Sequence, residues 1–309
     1  MARRQAVRVR TSRRGFARRL AEVLSVTWRP FVFWVLPAVV LIAACAIGLR
    51  ASQSCVRHSP EYRITAPRIM APSPTPPWWD KGVEDQINDS AAFAAGESIL
   101  DDTILSRIAD GYRKCPWVKT VRSVKKHFPN RIDVDLTLRT PAAAVACNTR
   151  QGILYCLVGD DGVRLPRVYA QWPMPGLRIP LITGARGAPG RPGESWREAS
   201  VAEAIQIVQF IRSSAAVSKA VSIKEVNVSN YHGRDDPAKS EFVLVAENNF
   251  VIWWGRAPGT DRPGELKVQD KLANFEQFLT ADSPTSGKEL DLRFPRYVSR
   301  RPGSDGDNS

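Results

Sequence analysis

The chain has 309 residues, with 44 Lys and Arg against 31 Asp and Glu, a formal net charge of +13. Nine arginines and one glutamate precede Phe31 and Arg50 follows the first apolar run, which leaves only +4 beyond it, so the basicity is local and argues against nucleic-acid binding. Five cysteines in a chain of this length exclude a disulfide-built scaffold.

Residues 1–30 read as a basic tail in which Phe16, Leu20, Val23, Leu24 and Trp28 fall at helical spacing, either as an interfacial helix or as a disordered segment. Residues 31–49, FVFWVLPAVVLIAACAIGL, contain no charge. As a helix they span about 28 Å, close to the roughly 30 Å of bilayer hydrocarbon, and predict one transmembrane helix. Pro37 is tolerated in such a helix. The arginines upstream predict a cytoplasmic N-terminus and an extracytoplasmic remainder. Two rival patterns overlap this stretch. Ser12-Arg13-Arg14-Gly15-Phe16 is similar to a twin-arginine export signal, and Ile42-Ala43-Ala44-Cys45 to a lipoprotein cleavage box. The apolar run starts fifteen residues after Phe16 and continues past Cys45, which favours an uncleaved anchor.

Residues 50–79 form a Pro-rich linker that ends in Pro76-Pro77-Trp78-Trp79, extended by composition, with a first strand possible at 61–66. Residues 80–140 read as a compact helix-and-hairpin unit. One helix is expected at Lys81–Asn88. A second is opened by Asp101 and Asp102 and buries Ile104, Leu105, Ile108 and Tyr112. A strand at Trp117–Val124 then turns at Phe128-Pro129-Asn130 into Arg131–Arg139, whose unbroken apolar/polar alternation marks a sheet with one packed face.

Residues 141–299 read as a strand-rich domain carrying two helices. Ala142–Cys147 and Ile153–Val158 pair as a hairpin, across which Cys147 and Cys156 either meet as a disulfide or remain buried thiols. Gly159-Asp160-Asp161-Gly162 has turn chemistry. Glycines at 184, 187, 190 and 193 mark a flexible loop. Ser200 with Glu203 forms a capping box for a helix that buries Val201, Ala204, Ile205, Val208 and Ile211. Phe242–Ala246 and Phe250–Trp254 make a hairpin around Glu247-Asn248-Asn249, and a second helix covers about 265–279. Glu289–Phe294 closes the sheet as a strand, and residues 300–309 read as a disordered tail.

Catalytic signatures are sparse. His58, His127 and His232 are scattered, and no nucleophile elbow, zinc-protease or phosphate-loop motif occurs. Cys55 and His58 have metal-like spacing without a second pair, so no metal and no cofactor are expected. Asp160 and Asp161 suit a solvated turn better than an acid/base pair. Trp253 and Trp254 point to opposite faces of a strand, so at least one of them is core. A binding or scaffold role is expected, and not an enzyme.

Three motifs in order then carry a likeness. Cys115-Pro116-Trp117-Val118-Lys119-Thr120-Val121 is followed by Phe128-Pro129-Asn130-Arg131-Ile132-Asp133-Val134 and Leu138-Arg139-Thr140-Pro141-Ala142. Next come Val158-Gly159-Asp160-Asp161-Gly162-Val163 and Leu290-Asp291-Leu292-Arg293-Phe294-Pro295. After a lone membrane span this order resembles the FtsQ/DivIB family of bacterial division proteins, over roughly residues 61–298. The family's Val-x-Gly-Asn opening strand is not recognisable, and Asn249 stands where a hairpin glycine is common. The resemblance implies an α+β, single-pass membrane protein with a POTRA-like domain, marked by Pro116, Trp117, Val118 and Pro129, followed by the strand-rich domain. It implies a non-catalytic scaffold in the inner membrane at the division septum. Its partners would be other divisome membrane proteins, an FtsB/FtsL-like pair that adds a strand at Leu290, Asp291, Leu292, Arg293 and Phe294, with Phe294 or Tyr297 as anchor and Arg293 facing an acidic partner. The competing readings are a POTRA-bearing export or envelope-assembly component and a cell-wall binder or enzyme using Trp253, Trp254 and Asp160.

Overall fold

The structure is a computed structural model that describes residues 13–57, 59–65, 69, 74–91, 96–149, 152–187, 189–260 and 264–300, the backbone alone for 13–33 and Arg57. The first arginines of the tail, His58, the 66–68 and 70–73 stretches of the linker and residues 301–309 lie outside it.

A single helix, α1 (Arg13–Arg57), runs through the basic segment and the apolar run and continues eight residues past Leu49. Trp34–Val56 is long and apolar enough to cross a bilayer, and none of it is buried within the protein. The strand allowed for at 61–66 is reduced to a 3₁₀ turn at Pro60–Tyr62 and one bridge, Arg63 to Ser98, with residues 66–68 outside the description.

The helix-and-hairpin unit comprises α2 (Lys81–Asp89), α3 (Ile104–Lys114), β1 (Val118–His127) and β2 (Arg131–Leu138). The Asp80 carboxylate caps α2 by accepting from Val83 N–H at 2.9 Å. Asp101 lies before α3 and accepts from the Thr103 N–H and hydroxyl, both at 2.9 Å. The helices cross closely at Gly111, where a Cβ would collide with the Ser90 carbonyl and the backbone of Ala91. Val83, Ile87, Ile104, Ile108 and Tyr112 bury against Trp117.

The second unit is one nine-stranded sheet in the order β11-β10-β9-β8-β7-β6-β3-β4-β5. Its elements are β3 (Pro141–Thr149), β4 (Gly152–Gly159), β5 (Arg164–Tyr169), β6 (Leu181–Thr183), α4 (Ala199–Ser213), α5 (Ala215–Ala220), β7 (Ile223–Asn227), β8 (Phe242–Ala246), β9 (Val251–Gly255), α6 (Val268–Ala281), β10 (Glu289–Asp291) and β11 (Val298–Arg300). Side chains alternate across the sheet as strand geometry requires. Ala143, Val145, Cys156 and Val158 face the core that contains Val201, Ile205, Val208 and Phe278. Ala144, Leu157 and Leu165 face the opposite way and complete the core of the helix-and-hairpin unit.

Several expectations are corrected by tertiary contacts. Three helices interrupt the strands instead of two, α5 being too short to show a periodicity. Ser200 is no cap: it is buried inside α4 and donates to Glu198, while the Glu203 carboxylate is occupied by the Tyr231 hydroxyl at 3.0 Å. Helix α6 starts at Val268 because Glu265 is held by Arg256 N–H at 2.7 Å and by Lys271 at 2.5 Å. The glycine-rich loop is pinned, not free. Gly193 N–H donates to Arg164 O, Arg164 N–H to Glu194 O, and Trp196 is buried. Asp160 and Asp161 lie in a surface turn as expected and in addition pair with Lys119 and Arg139, both at 2.7 Å. Asn249 adopts φ 63°, the left-handed geometry its turn requires. Cys147 and Cys156 are free, buried thiols with sulfurs 3.5 Å apart, and their hydrogen bond raises Cys147 and draws Cys156 down to about 7.

Replacing Gly111 by Ala is expected to force α2 and α3 apart and cost about 1–3 kcal/mol in a denaturant midpoint experiment. The Tyr112 hydroxyl is buried without a partner among the described residues, and burial lifts its pKa to about 12. A folded pKa above the ordinary 10 favours the fold below pH 10 and loses that contribution as the pH rises through 12. Tyr112→Phe is therefore expected to raise stability by roughly 1 kcal/mol at neutral pH and to remove this alkaline loss.

Candidate partner-binding edge

A nine-stranded open sheet has two edges, and their chemistry differs. At one end β5 carries Pro166, which has no N–H to donate, and its Arg164 and Arg167 side chains are engaged by Gly190 O and Asp80. At the other end β11 has three exposed residues, Val298, Ser299 and Arg300, and no described strand lies beyond it. An edge of this kind offers unpaired backbone groups to an added strand.

The ladder fixes which groups those are. In β10, Leu292 N–H donates to Trp253 O, and Val251 N–H to Lys288 O, so Leu290 shares its backbone with β9. Glu289 and Asp291 then face β11, opposite Arg300 and Val298. By the alternation of antiparallel pairs, the Ser299 N–H and C=O point outward.

This geometry relocates the expected edge. The strand read at 289–294 is only three residues long, and its outer side is taken by the chain's own β11. Leu290 and Leu292 are fully buried in the core. Arg293 is committed internally: its Nε and Nη2 donate to the Asp291 carboxylate at 3.0 and 2.7 Å, and its Nη1 donates to Ala238 O at 2.7 Å. That pairing holds its pKa above the ordinary arginine value. Tyr297 packs edge-on against Phe278 with centroids 5.7 Å apart. Of the six expected contact residues only Phe294 remains open, 47% exposed, with the Arg293 guanidinium 5.2 Å above its ring. Val298–Arg300 is three residues long, too short to carry a readable alternation.

Beside the edge lies a depression of about 190 Å³ lined by Lys239, Trp253, Glu289, Asp291, Arg293, Val298 and Arg300. Trp253 lies over it, its Nε1–H donating to Glu289 at 3.1 Å, while Trp254 is fully buried. A balanced ion cluster supports the strands from behind. Arg256 pairs with Glu241 at 2.8 Å, and Lys271, buried beside the Trp254 ring, pairs with Glu265 at 2.5 Å. Burial lowers the Lys271 pKa, and Glu265 partly offsets that shift. Gly255 has φ 91° at this junction, and a Cβ there would strike Glu265 and crowd Arg293 and Lys271. Pro116, Trp117 and Val118 sit far along the chain at the junction of the two units, where Pro116 O and Val118 O accept from Arg139 at 3.0 and 2.6 Å, and Pro129 lies in the exposed turn of the first hairpin. Among the described residues no group of three or more His, Cys, Asp or Glu is placed to hold a metal ion.

Arg293→Ala leaves the Asp291 carboxylate, 8% exposed, without its cation and is expected to cost about 2 kcal/mol, read by thermal or denaturant unfolding. The double change Asp291→Asn with Arg293→Gln is expected to cost less than Arg293→Ala alone.

No family model matches the chain. It is 30% identical over 162 residues to a curated cell division protein FtsQ of Myxococcus fulvus, covering 52% of this chain and 49% of that protein. It is 24% identical over 204 residues to a cell division protein FtsQ of Neisseria meningitidis, covering 66% of this chain and 70% of that one. The chain thus spans about half the length of the Myxococcus relative. Both relatives bear out the family likeness: over the 162 and 204 aligned residues the chain resembles the FtsQ cell division proteins.

Proposed function

We propose that this protein is a non-catalytic, bitopic scaffold of the cell-division machinery. In this reading α1 crosses the inner membrane with the arginine-rich N-terminus in the cytoplasm, and both folded units stand outside, at the septum. The protein binds other division proteins of the membrane, with an FtsB/FtsL-like pair as the partners implied by the family resemblance. One of them supplies a strand to the β11 edge by β-augmentation, in which backbone hydrogen bonds give affinity and adjacent side chains give choice.

The observation that carries the reading is the asymmetry of the sheet: a proline-blocked β5 edge and an open β11 edge whose Ser299 backbone faces outward. The exposed Phe294 ring and the hollow under Trp253 would take side chains of the incoming strand, in place of the buried Leu290 and Leu292. Arg300, free of any described acidic partner, would meet the partner's carboxylate in place of Arg293.

Photocrosslinkers placed at Ser299 and Arg300 in living cells are expected to capture small membrane proteins of the division apparatus, and one at the buried Leu290 is not. Ser299→Pro deletes the outward N–H without touching the β10–β11 ladder. It is expected to reduce capture at least tenfold, the effect of one well-placed hydrogen bond plus lost register, at unchanged thermal stability. Capture unaffected by Ser299→Pro, or turnover of a cell-wall precursor by the purified protein, would refute the proposal.

A further inference from the structure

The turn of the first hairpin has no role in the edge just described, yet its chemistry is specific. Phe128 is 65% exposed at the apex. It is bracketed by Lys125, Lys126 and His127 on one side and Arg131 on the other, against the single acid Asp133 between residues 125 and 133. Asp133 is ion-paired locally with Arg131 at 2.9 Å, and His127 Nε2 lies 2.9 Å from its other oxygen. Lys125 is exposed and takes part in no ion pair among the described residues, and Lys126 donates to the Asp101 carbonyl at 2.7 Å.

A short stretch of chain tethers this turn to the end of the membrane helix. Thr65 N–H donates to the Asn130 carbonyl at 3.2 Å. Thr65 lies only eight residues after Arg57, the end of α1, and the candidate span ends at Val56. Eight residues at full extension reach about 28 Å, and less here because Pro60–Tyr62 is wound into a 3₁₀ turn. Arg63, exposed, sits beside the same junction. An aromatic ring among cations, tethered this close to a bilayer, has the composition of interfacial anchors: the ring suits the headgroup boundary and the cations suit anionic lipid.

We infer that the 125–131 turn is a second membrane contact, with Phe128 entering the headgroup layer of an anionic bilayer, Lys125 pairing with a lipid phosphate, and Lys126 and Arg131 adding positive charge beside it. This contact would fix the tilt of the helix-and-hairpin unit over the membrane and so the direction in which the β11 edge faces. The inference rests on α1 spanning the bilayer, as proposed above.

Hydrogen–deuterium exchange of the full chain in nanodiscs tests it, comparing phosphatidylcholine alone with phosphatidylcholine mixed with phosphatidylglycerol. The amides of Phe128 and Asn130 are expected to exchange on the order of five-fold more slowly in the anionic discs, the effect of one basic side chain at the surface. Phe128→Ser, and separately Lys125→Ser, are expected to abolish the difference while the amides of α3 keep their protection. Equal exchange in the two kinds of disc, or a difference that survives both substitutions, overturns the inference. Protection of residues 34–49 reports insertion of α1 independently, and its absence would overturn the spanning reading itself.

Discussion

A sheet with apolar side chains on both faces has to be covered on both, and this requirement organises the molecule. Helices α4, α5 and α6 cover one face. Over β3, β4 and β5 the other face is covered by the helix-and-hairpin unit, so that Ala144, Leu157 and Leu165 share a core with Ile87, Ile108 and Trp117. Trp117 is fully buried, its ring stacked on Trp78 at 5.5 Å and its Nε1–H donating to Gln86 at 2.9 Å. An indole buried in this way contributes several kcal/mol of apolar transfer free energy. The two units are therefore not beads on a string. Arg139 completes the joint by binding two carbonyls of the first unit and Asp161 of the second.

The joint also explains the polarity of the sheet. With Pro166 and the arginines of β5 committed near the first unit, strand addition there is blocked at its backbone and crowded by its surroundings. The opposite end carries the ion cluster of Glu241, Arg256, Glu265 and Lys271 and the Asp291–Arg293 fork, which hold β9 and β10 in register and leave β11 as a three-residue ledge. A stiff support with a short exposed strand limits uncontrolled self-pairing and still leaves one outward N–H and C=O to a partner.

On the proposed reading the molecule is a lever with its ends in different media. The apolar helix would hold the chain in the bilayer, the 125–131 turn would meet the same surface, and the shared core would transmit that orientation to the far sheet. Binding at β11 would then depend on side chains that touch no partner, Gly255 and Arg139 among them.

What the sequence determined by itself were the features written in one-dimensional periodicity. The uncharged run 31–49, the perfect alternation of 131–139, the apolar spacing of 201–211 and the Asn turn at 248–249 each follow from local geometry and solvent exposure, and each falls in the kind of element expected, although the apolar helix runs on to Arg57. The family likeness was legible for the same reason, since its motifs are turns and strand ends. Tertiary structure alone decided which strand is outermost, because edge status depends on what lies beside a strand in space, and β11 is too short to announce itself. It alone decided that Glu203 accepts from the distant Tyr231 while Ser200 donates to Glu198, so that no capping box forms, that Glu265 pairs with Arg256 and Lys271 ahead of α6, and that Arg293 spends its charge on Asp291. Charged and hydroxyl groups take the partner that burial places within reach, and the order of residues along the chain does not encode that choice.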